Sequence, residues 1–375
     1  SFKFAFIFDT LRIERQRGIT IKPKNKSLIT EKHHVSWIDA PGYRPYTKHT
    51  ISALVPADAA LLVVSPNSYG DPLTGNCDTW HNALLAFAFG IKQIVVCINK
   101  MDAENYSEES FTTAKSKVSI ILKKIGFKSK DILFIPMSAW TGDNLVVKSA
   151  QMPWYNGATL LEAINNFSIP EKPENPQLRI PIQDVFYIRG IGTVVIGRIR
   201  SGFLSRDMPV SFSPKLAEGG GLRGGSGEGM VRTIERYHRD IECAGPGDFV
   251  GINFGNSVNH RFIDRGFIIG GVEDPPRSVK SFTARIILTK LSGRKKRKFS
   301  IGYSPILDCH NANVSCSWDK FIQTIDRRSG EIIDEWPQFL ESGGAAVVEM
   351  SPSKPLCLQP FSESPFMGRF SIRDN

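Results

Sequence analysis

The chain of 375 residues lacks features that would assign it to several common classes. No apolar run approaches the roughly 18 residues that a membrane-spanning helix requires, so we expect no insertion into a membrane. Its six cysteines include no CxxC pair, which argues against a disulfide framework and a zinc ribbon and favours a reducing, cytoplasmic setting. The chain begins without methionine and without a basic stretch before an apolar core, so we expect that its native N-terminus lies upstream.

Acidic residues are fewer than basic ones, which leaves a formal net charge of +10. A basic protein favours polyanionic partners, because each cation that meets a phosphate releases condensed counterions. RNA is the first candidate. The alternative is a soluble basic protein whose charge has no particular partner.

The first part of the chain alternates apolar, strand-like runs with longer helical stretches. Such alternation predicts an α/β domain with a doubly wound parallel sheet over residues 1–168. The strand candidates are residues 35–38, 59–64, 93–98 and 132–136. Residues 169–177 contain three prolines, which cannot continue a helix, and are predicted to form an extended linker.

Helical periodicity is scarce after the linker, where short β-branched runs alternate with glycine-rich turns. We therefore predict two β-barrel domains, over residues 178–272 and 273–375. Their strand candidates are residues 179–187, 192–199, 208–212, 248–254, 281–288 and 345–350. Residues 218–229 hold seven glycines and are predicted to form an exposed loop.

The strand candidate at residues 35–38 leads into a DAPG sequence at residues 39–42. Open α/β sheets bind ligands at the carboxyl ends of their strands. Asp39 could hold a magnesium ion through water, and Gly42 would let its N–H group approach a terminal phosphate. A DxxG sequence alone is a weak signal.

The strand candidate at residues 93–98 leads into an NKMD sequence, which is more specific. The carboxylate of Asp102 can accept two hydrogen bonds from the N1–H and N2–H₂ edge of guanine, which adenine does not offer. Asn99 would brace the loop, and the aliphatic stem of Lys100 would cover the base. The alternative is an ordinary polar turn between a strand and a helix.

One further motif follows the NKMD sequence, and another precedes the DAPG sequence. Ser138 and Ala139 follow another strand candidate and could present backbone N–H groups to the guanine carbonyl. Upstream, Thr20 in an RGIT sequence could give its hydroxyl to magnesium and tie a mobile loop to the γ-phosphate. A charged helix end capped by Gly18 is the alternative interpretation of that segment.

RGIT, DAPG, NKMD and SAW, in this order and spacing, resemble the translational GTPases, and most strongly the elongation factor one-alpha family. The resemblance extends through the barrels, where residues 179–194, 300–310, 325–330 and 368–374 look like stretches of its second and third domains. It implies a partial P-loop GTPase-type domain followed by two β-barrels, and the second barrel, which is the third domain, lacks its last strand at Asn375.

The resemblance implies a GTPase that delivers aminoacyl-tRNA to the ribosomal A site with GTP/GDP and Mg²⁺ as cofactors and a guanine-nucleotide exchange factor as partner. By position, the family's contacts with the aminoacyl end fall near Asp184, Arg236 and His238. A related release or rescue GTPase, and a paralogue that binds tRNA, ribosome or actin without hydrolysing GTP, are the alternative functions.

Three departures from the family pattern bear on activity. The sequence contains no GxxxxGK[ST] phosphate loop, whose absence an incomplete chain would explain. Tyr43 stands where the family has the histidine that positions the attacking water, so slow hydrolysis is expected. Residues 294–298 are all basic where the family has a mild turn, and they are interpreted either as a solvated loop or as a contact with RNA or an acidic partner.

Overall fold

The computed structural model describes residues 5–67, 77–171, 175–214, 227–289, 297–327 and 329–374. The chain divides into two compact units, the first built on residues up to Pro170 and the second on residues from Glu171 onward. In the described part of the chain, no helix is long and apolar enough to cross a membrane.

The first unit contains a parallel sheet in the strand order β3, β4, β5. Its elements are α1 (Arg12–Arg17), β1 (Lys24–Ile29), β2 (His34–Asp39), α2 (Thr47–Leu54), β3 (Ala59–Val64), α3 (Asp78–Ala88), β4 (Gln93–Ile98), α4 (Glu108–Ile125), β5 (Leu133–Pro136) and α5 (Leu160–Asn165). Strand β4 is the central strand, and residues 94–98 are all buried. The predicted α/β class is confirmed.

Both faces of β4 are covered, as its continuous apolar sequence requires. Val96 and Ile98 lie in a core cluster that includes residues of α3 and α4, whereas Val95 and Cys97 pack in a second cluster that contains Ala163 of α5. Because the strand cannot shift by one residue without exchanging its two buried faces, its register is fixed, and so is the position of the loop that follows it.

Strand β2 differs from the prediction for residues 35–38, which placed it with the parallel strands. It pairs antiparallel with β1, from Lys24 opposite Asp39 to Ile29 opposite His34. The turn between them is closed by Thr30, whose N–H and hydroxyl both donate to the carbonyl of His33. The sequence analysis did not identify β1, because its residues KNKSLI show little strand-like apolar alternation.

The second unit begins with an eight-stranded sheet whose order is β10, β9, β15, β6, β7, β14, β11, β12. These strands are β6 (Ile180–Ile188), β7 (Gly192–Arg198), β9 (Pro209–Ser213), β10 (Glu228–Met230), β11 (Thr233–Arg236), β12 (Arg239–Ile241), β14 (Phe249–Gly255) and β15 (Ile268–Gly271), with β8 (Leu204–Ser205) pairing with β13 (Cys243–Ala244) outside it. The four strands predicted in this region all have counterparts here.

The structure partly corrects the prediction of an exposed loop for residues 218–229. Residues 218–226 lie outside the described residues, but Glu228 and Gly229 belong to β10 and not to a loop. A side chain at Gly229 would meet Val258 at 2.4 Å and Phe212 at 3.1 Å. Glycine is therefore required at this position for close packing, and not for flexibility.

The rest of the second unit is a six-stranded sheet in the order β17, β23, β20, β19, β25, with β21 paired to β20. Its strands are β17 (Phe282–Ile287), β19 (Ile306–Cys309), β20 (Ala312–Ile325), β21 (Ile332–Glu335), β23 (Ala345–Pro352) and β25 (Phe370–Arg373), accompanied by the pairs β16 (Ser278–Val279) with β24 (Leu356–Cys357) and β18 (Lys298–Ser300) with β22 (Phe339–Glu341), and by helix α6 (Pro365–Gly368). This sheet and the eight-stranded sheet have separate hydrophobic cores. The boundary predicted between residues 272 and 273 remains a prediction.

Candidate nucleotide-binding site

The loop after β4 is organised by the side chain of Asn99. Its Oδ1 atom accepts a hydrogen bond from the N–H of Lys100 at 2.8 Å and another from the N–H of Ala139 at 2.9 Å. Lys100 has a φ of 65°, in the left-handed region, which turns the chain sharply at the end of the strand. Asn99 therefore holds the NKMD loop and the loop after β5 together, as its predicted bracing role requires.

Asp102 is also hydrogen-bonded to the loop after β5. The hydroxyl of Ser138, which is fully buried, donates a hydrogen bond of 2.6 Å to its Oδ1 atom. A carboxylate offers about four lone-pair positions, so this bond fixes the orientation of Asp102 and leaves acceptor capacity for two donors of a guanine edge. The N–H of Ala139, which was predicted to meet the guanine carbonyl, donates to Asn99 in this structure.

We call Asn99, Lys100, Asp102, Ser138 and Ala139 the base-side cluster. Its two loops meet because β4 and β5 are parallel neighbours, with Ile98 opposite Pro136. Two backbone bonds extend that alignment beyond the strands: Met137 N–H to the carbonyl of Ile98 at 2.8 Å, and Met101 N–H to the carbonyl of Met137 at 3.2 Å. The parallel sheet therefore positions the predicted guanine-binding residues directly.

Thr20 and Asp39, the predicted magnesium residues, are also brought together. The Oγ1 atom of Thr20 lies 3.3 Å from Oδ2 of Asp39 and 3.3 Å from Oδ1 of Asp9. We call Asp9, Thr20 and Asp39 the phosphate-side cluster. It contains only oxygen donors, the ligands that Mg²⁺ prefers.

The two carboxylates of the phosphate-side cluster are poorly matched by positive charge. Burial raises the pKa of Asp39, and repulsion from Asp9 and Glu14 raises it further against the opposing effect of the Thr20 hydroxyl. Burial likewise raises the pKa of Asp9, which is only 4% exposed. A cation at this position would offset both effects, so the residues present fit a magnesium ion.

The segment after Asp39 is anchored by α3, which the sequence analysis did not include. The Nδ2 group of Asn82 donates to the carbonyl of Gly42 at 2.9 Å, and Asp78 forms an ion pair of 3.1 Å with Arg44. Tyr43 lies between these anchors, with its side chain 49% exposed. Nothing in the sequence signalled Asn82, because it is separated from Gly42 by 40 residues.

His81 is the histidine of α3 that contacts this segment. The hydroxyl of Thr47 donates to the carbonyl of Arg44 at 2.6 Å, so its oxygen accepts the second bond of 2.8 Å, from Nε2–H of His81. Burial lowers the pKa of His81, and the charge of Arg44 lowers it further. His49, the next histidine along the chain after position 43, lies within α2.

The residues predicted to contact tRNA lie on the eight-stranded sheet of the second unit. Asp184 is exposed beside a bulge of β6 and stands opposite Ile196 of β7. The register continues from Ile196 to Gly251 and from Gly251 to Glu235, so Asp184 and Glu235 share one row across four strands. At a spacing of about 4.8 Å per strand, the row spans roughly 14 Å.

Arg236 precedes the hairpin turn at the far end of that row, and His238 is one of the two residues of the turn. Arg236 forms an ion pair of 2.7 Å with Asp248, whereas the side chain of His238 is 95% exposed. Tyr237 and His238 both have positive φ, which is the conformation of a tight two-residue hairpin turn. The sheet thus brings Asp184, Arg236 and His238 to one part of the barrel without direct contact among them.

An α/β unit with a guanine-type loop, followed by two β-rich parts, is the arrangement of translational GTPases. Residues 3–170 match the family model of the elongation factor Tu GTP binding domain, and residues 281–375 match that of the GTP-eEF1A C-terminal domain-like family. Translation elongation factor SelB from Methanococcus maripaludis, solved in complex with the GTP analogue GPPNHP, is similar in fold. Its TM-score is 0.68 at 20% identity, over 95% of this chain and 74% of that one.

Curated relatives carry the comparison further. Elongation factor 1-alpha from Methanothermobacter thermautotrophicus is 41% identical across 99% of this chain and 85% of its own length. Elongation factor 1-alpha from Saccharomyces cerevisiae is 39% identical across 100% of this chain and 82% of its own length. The chain belongs to the elongation factor 1-alpha family. It is accordingly a GTP-binding translation elongation factor and a GTPase.

Proposed function

We propose that this protein, as its GTP complex, delivers aminoacyl-tRNA to the ribosomal A site and releases the tRNA after GTP hydrolysis. The observation that carries the proposal is the base-side cluster, in which Asn99 and Ser138 hold the NKMD loop in a fixed conformation. A carboxylate fixed in this way recognises guanine with little ordering cost on binding. The nucleotide state can then control binding of tRNA elsewhere on the molecule.

Magnesium belongs to this proposal through Thr20 and Asp39. The hydroxyl of Thr20 would bind the ion directly and Asp39 would bind it through water, so that the loop carrying Thr20 becomes ordered when GTP is bound. The ion would supply charge neutralisation for the β- and γ-phosphates. The close approach of the hydroxyl to the carboxylates of buried Asp9 and half-buried Asp39 supports this assignment.

Tyr43 is proposed to occupy the position that faces the attacking water. A phenol is longer and flatter than an imidazole and offers no ring nitrogen to accept a proton from that water, so we propose slow hydrolysis. A paralogue that binds tRNA, ribosome or actin without hydrolysing GTP is the second candidate function, and Tyr43 is the observation that favours it. The elongation-factor function assigns the protein to the cytoplasm with a guanine-nucleotide exchange factor as partner.

A protection assay tests the delivery function. Aminoacyl-tRNA is incubated with the full-length protein loaded with GTP or GDP, and spontaneous hydrolysis of the aminoacyl ester is followed over time. We expect protection with GTP and much less with GDP, because only the GTP complex should bind the charged tRNA. Equal protection with both nucleotides, or equal binding of uncharged tRNA, would refute the proposal.

The same assay tests the tRNA contacts. Arg236→Ala and His238→Ala should weaken protection by roughly tenfold each, since a charge-assisted contact contributes on the order of 1.5 kcal/mol. Arg206→Ala is the matched control, because Arg206 is also an arginine of the barrel in an ion pair, at 2.6 Å from Asp240. If Arg206→Ala weakens protection as much as the two test variants do, the assay measures loss of basic charge and not these contacts.

A further inference from the structure

Glu14 is a fully buried carboxylate in α1, three residues before the RGIT sequence. Its Oε1 atom accepts hydrogen bonds from the N–H groups of Ile21 and Lys22, both at 3.0 Å. Its Oε2 atom accepts a third from the N–H of Leu11 at 2.9 Å. One side chain therefore joins the residue that precedes α1 to the two residues that follow Thr20.

The bonding of Glu14 is that of an ionised group. Burial alone would raise its pKa, but the N–H groups of Lys22, Leu11 and Ile21 act in the opposite direction, with help from Lys24. Their sum lowers the pKa below its ordinary value, in contrast to the raised pKa of Asp9 and Asp39 nearby. Glu14 is thus satisfied by backbone donors and is the negative group here that does not need a metal ion.

The geometry of the segment depends on this carboxylate. Helix α1 has six residues, too few to be stable by itself, and it ends at Gly18 in the left-handed conformation. The chain then reverses through Ile19 so that Thr20 can approach Asp9 and Asp39. Residues 21 and 22, which Glu14 binds, come directly after Thr20 and therefore fix the position of its hydroxyl.

We propose that Glu14 is a positioning residue, which holds Thr20 in the place where it binds magnesium and thereby makes binding sensitive to the γ-phosphate. This inference rests on the proposed magnesium role of Thr20. Glu14 touches neither nucleotide nor metal in the proposal. It acts through the backbone of residues 21 and 22, and its effect belongs to the GTP state, in which the γ-phosphate and the metal engage this loop.

Glu14→Gln is the sharpest test, because it keeps the shape of the side chain. The neutral amide oxygen is a weaker acceptor for the N–H groups of Ile21 and Lys22 than the carboxylate oxygen is, and the amide NH₂ then faces the N–H of Leu11, which loses its acceptor. We expect the affinity of the full-length protein for GTP with magnesium to fall by about tenfold, the effect of one unsatisfied buried donor. The affinity for GDP should stay within about twofold of the wild type.

A nucleotide-free readout accompanies the binding measurement. Hydrogen exchange of the amides of residues 21 and 22 should quicken by about tenfold in Glu14→Gln, while exchange in β4 stays unchanged. Glu162→Gln is the matched control, because Glu162 also accepts a backbone N–H at the start of a short helix, from Thr159 at 2.8 Å. It should leave the ratio of GTP to GDP affinity unaltered. Glu14→Asp keeps the charge and serves if the glutamine variant folds poorly.

A double-mutant cycle tests whether Glu14 acts through Thr20 or has only a structural role. If Glu14 acts through Thr20, the GTP affinity of Glu14→Gln combined with Thr20→Ala should equal that of Thr20→Ala alone. Additive losses, or equal losses of GTP and GDP affinity, would overturn the positioning role and leave a purely structural one. If Thr20→Ala itself leaves magnesium-dependent GTP binding unchanged, the proposed role of Thr20 fails first. If Thr20→Ala reduces magnesium-dependent GTP binding and Glu14→Gln leaves it unchanged, only the inference about Glu14 fails.

Discussion

The base-side cluster and the phosphate-side cluster differ in how their polar groups are satisfied. In the base-side cluster, the hydrogen bonds measure 2.6 to 2.9 Å, and two of them join the NKMD loop to the loop after β5, through Asn99 and Asp102. In the phosphate-side cluster, one hydroxyl lies 3.3 Å from the carboxylates of buried Asp9 and half-buried Asp39, whose pKa values are both raised. The first is complete without a ligand, whereas the second carries negative charge that a cation would offset.

The comparison supports the proposal that guanine recognition and GTP hydrolysis depend on separate parts of the first unit. In that proposal, recognition rests on the loops at the ends of β4 and β5. Hydrolysis would rest on Thr20, Asp39 and position 43, which lie on segments outside the parallel sheet. A change in one part should therefore leave the function of the other largely intact, and the predictions below test that separation.

The largest effect is expected for Asp102→Asn. This variant exchanges the acceptor that faces the guanine N1–H and N2–H₂ groups for an amide, so GTP affinity should fall by roughly 10²- to 10⁴-fold. Affinity for xanthosine triphosphate should rise, because its base offers a carbonyl where guanine has an amine. Competition binding on the full-length protein measures both. Equal affinity of the wild-type protein for ATP and GTP would contradict the assignment of the base-side cluster.

Tyr43→His tests the proposed role of position 43 in GTP hydrolysis. An imidazole that can accept a proton from the attacking water should speed hydrolysis by a factor on the order of 10², the cost of one misplaced catalytic group. Single-turnover hydrolysis on the ribosome is the measurement, with GTP affinity as the control that should not change. If the tyrosine form is already as fast as the histidine form, our interpretation of position 43 is wrong.

A smaller effect, on thermal stability, is expected from Asp9→Asn. Its direction follows from the raised pKa of Asp9. A carboxyl whose pKa is raised in the folded state contributes stability below its unfolded pKa of about 3.9, and that contribution is lost as pH rises through the folded value. Without magnesium or nucleotide, Asp9→Asn should therefore raise the melting temperature near neutral pH by roughly 2–4 °C, equivalent to about 1 kcal/mol. The gain should vanish at low pH.

Glu14→Gln provides the contrast to Asp9→Asn, since the pKa of Glu14 is lowered. Its carboxylate stabilises the folded state above the unfolded pKa of about 4.3 and loses that contribution as pH falls through the folded value. Melting curves over a pH series should show destabilisation by Glu14→Gln at neutral pH, where Asp9→Asn stabilises. The same sign for both variants would contradict the distinction between a satisfied and an unsatisfied carboxylate.

The smallest effect is expected when GTP is added to the chain of residues 1–375. Its sequence contains no GxxxxGK[ST] motif, and the phosphate loop supplies much of the nucleotide affinity in this fold. At nucleotide concentrations near or below the dissociation constant, ligand binding adds less than about 0.4 kcal/mol, and the melting temperature should rise by less than about 2 °C. A large, magnesium-dependent rise would contradict this prediction.

Local pattern was sufficient to locate ten of the 25 strands in the described part of the chain and to select the base-side residues. The continuous apolar run of β4 and the NKMD sequence after it predicted both a buried strand and a loop at its carboxyl end. Pattern failed where a residue's role depends on distant neighbours. Gly229 was interpreted as part of a flexible loop, whereas the side chains of Phe212 and Val258 leave no room there for a Cβ atom.

Glu14, Asp9 and Asn82 show the same limit within the candidate site. Glu14 lies three residues before the RGIT sequence that contains Thr20, and its sequence context resembles any charged helix end. Its importance lies in complete burial and in three N–H donors from both sides of α1. These are properties of the folded loop, and no spacing in the sequence encodes them.

The sequence by itself determined the class of the fold, the family and the residues that we propose to face guanine, because hydrophobic periodicity and the short motifs are local properties. The tertiary structure decided which groups meet. Ser138 reaches Asp102 across a separation of 36 residues because the parallel register of β4 and β5 sets their two loops side by side. Whether a carboxylate is satisfied, as Glu14 is, or poorly matched, as Asp9 and Asp39 are, depends on donors and charges that only the folded chain brings near.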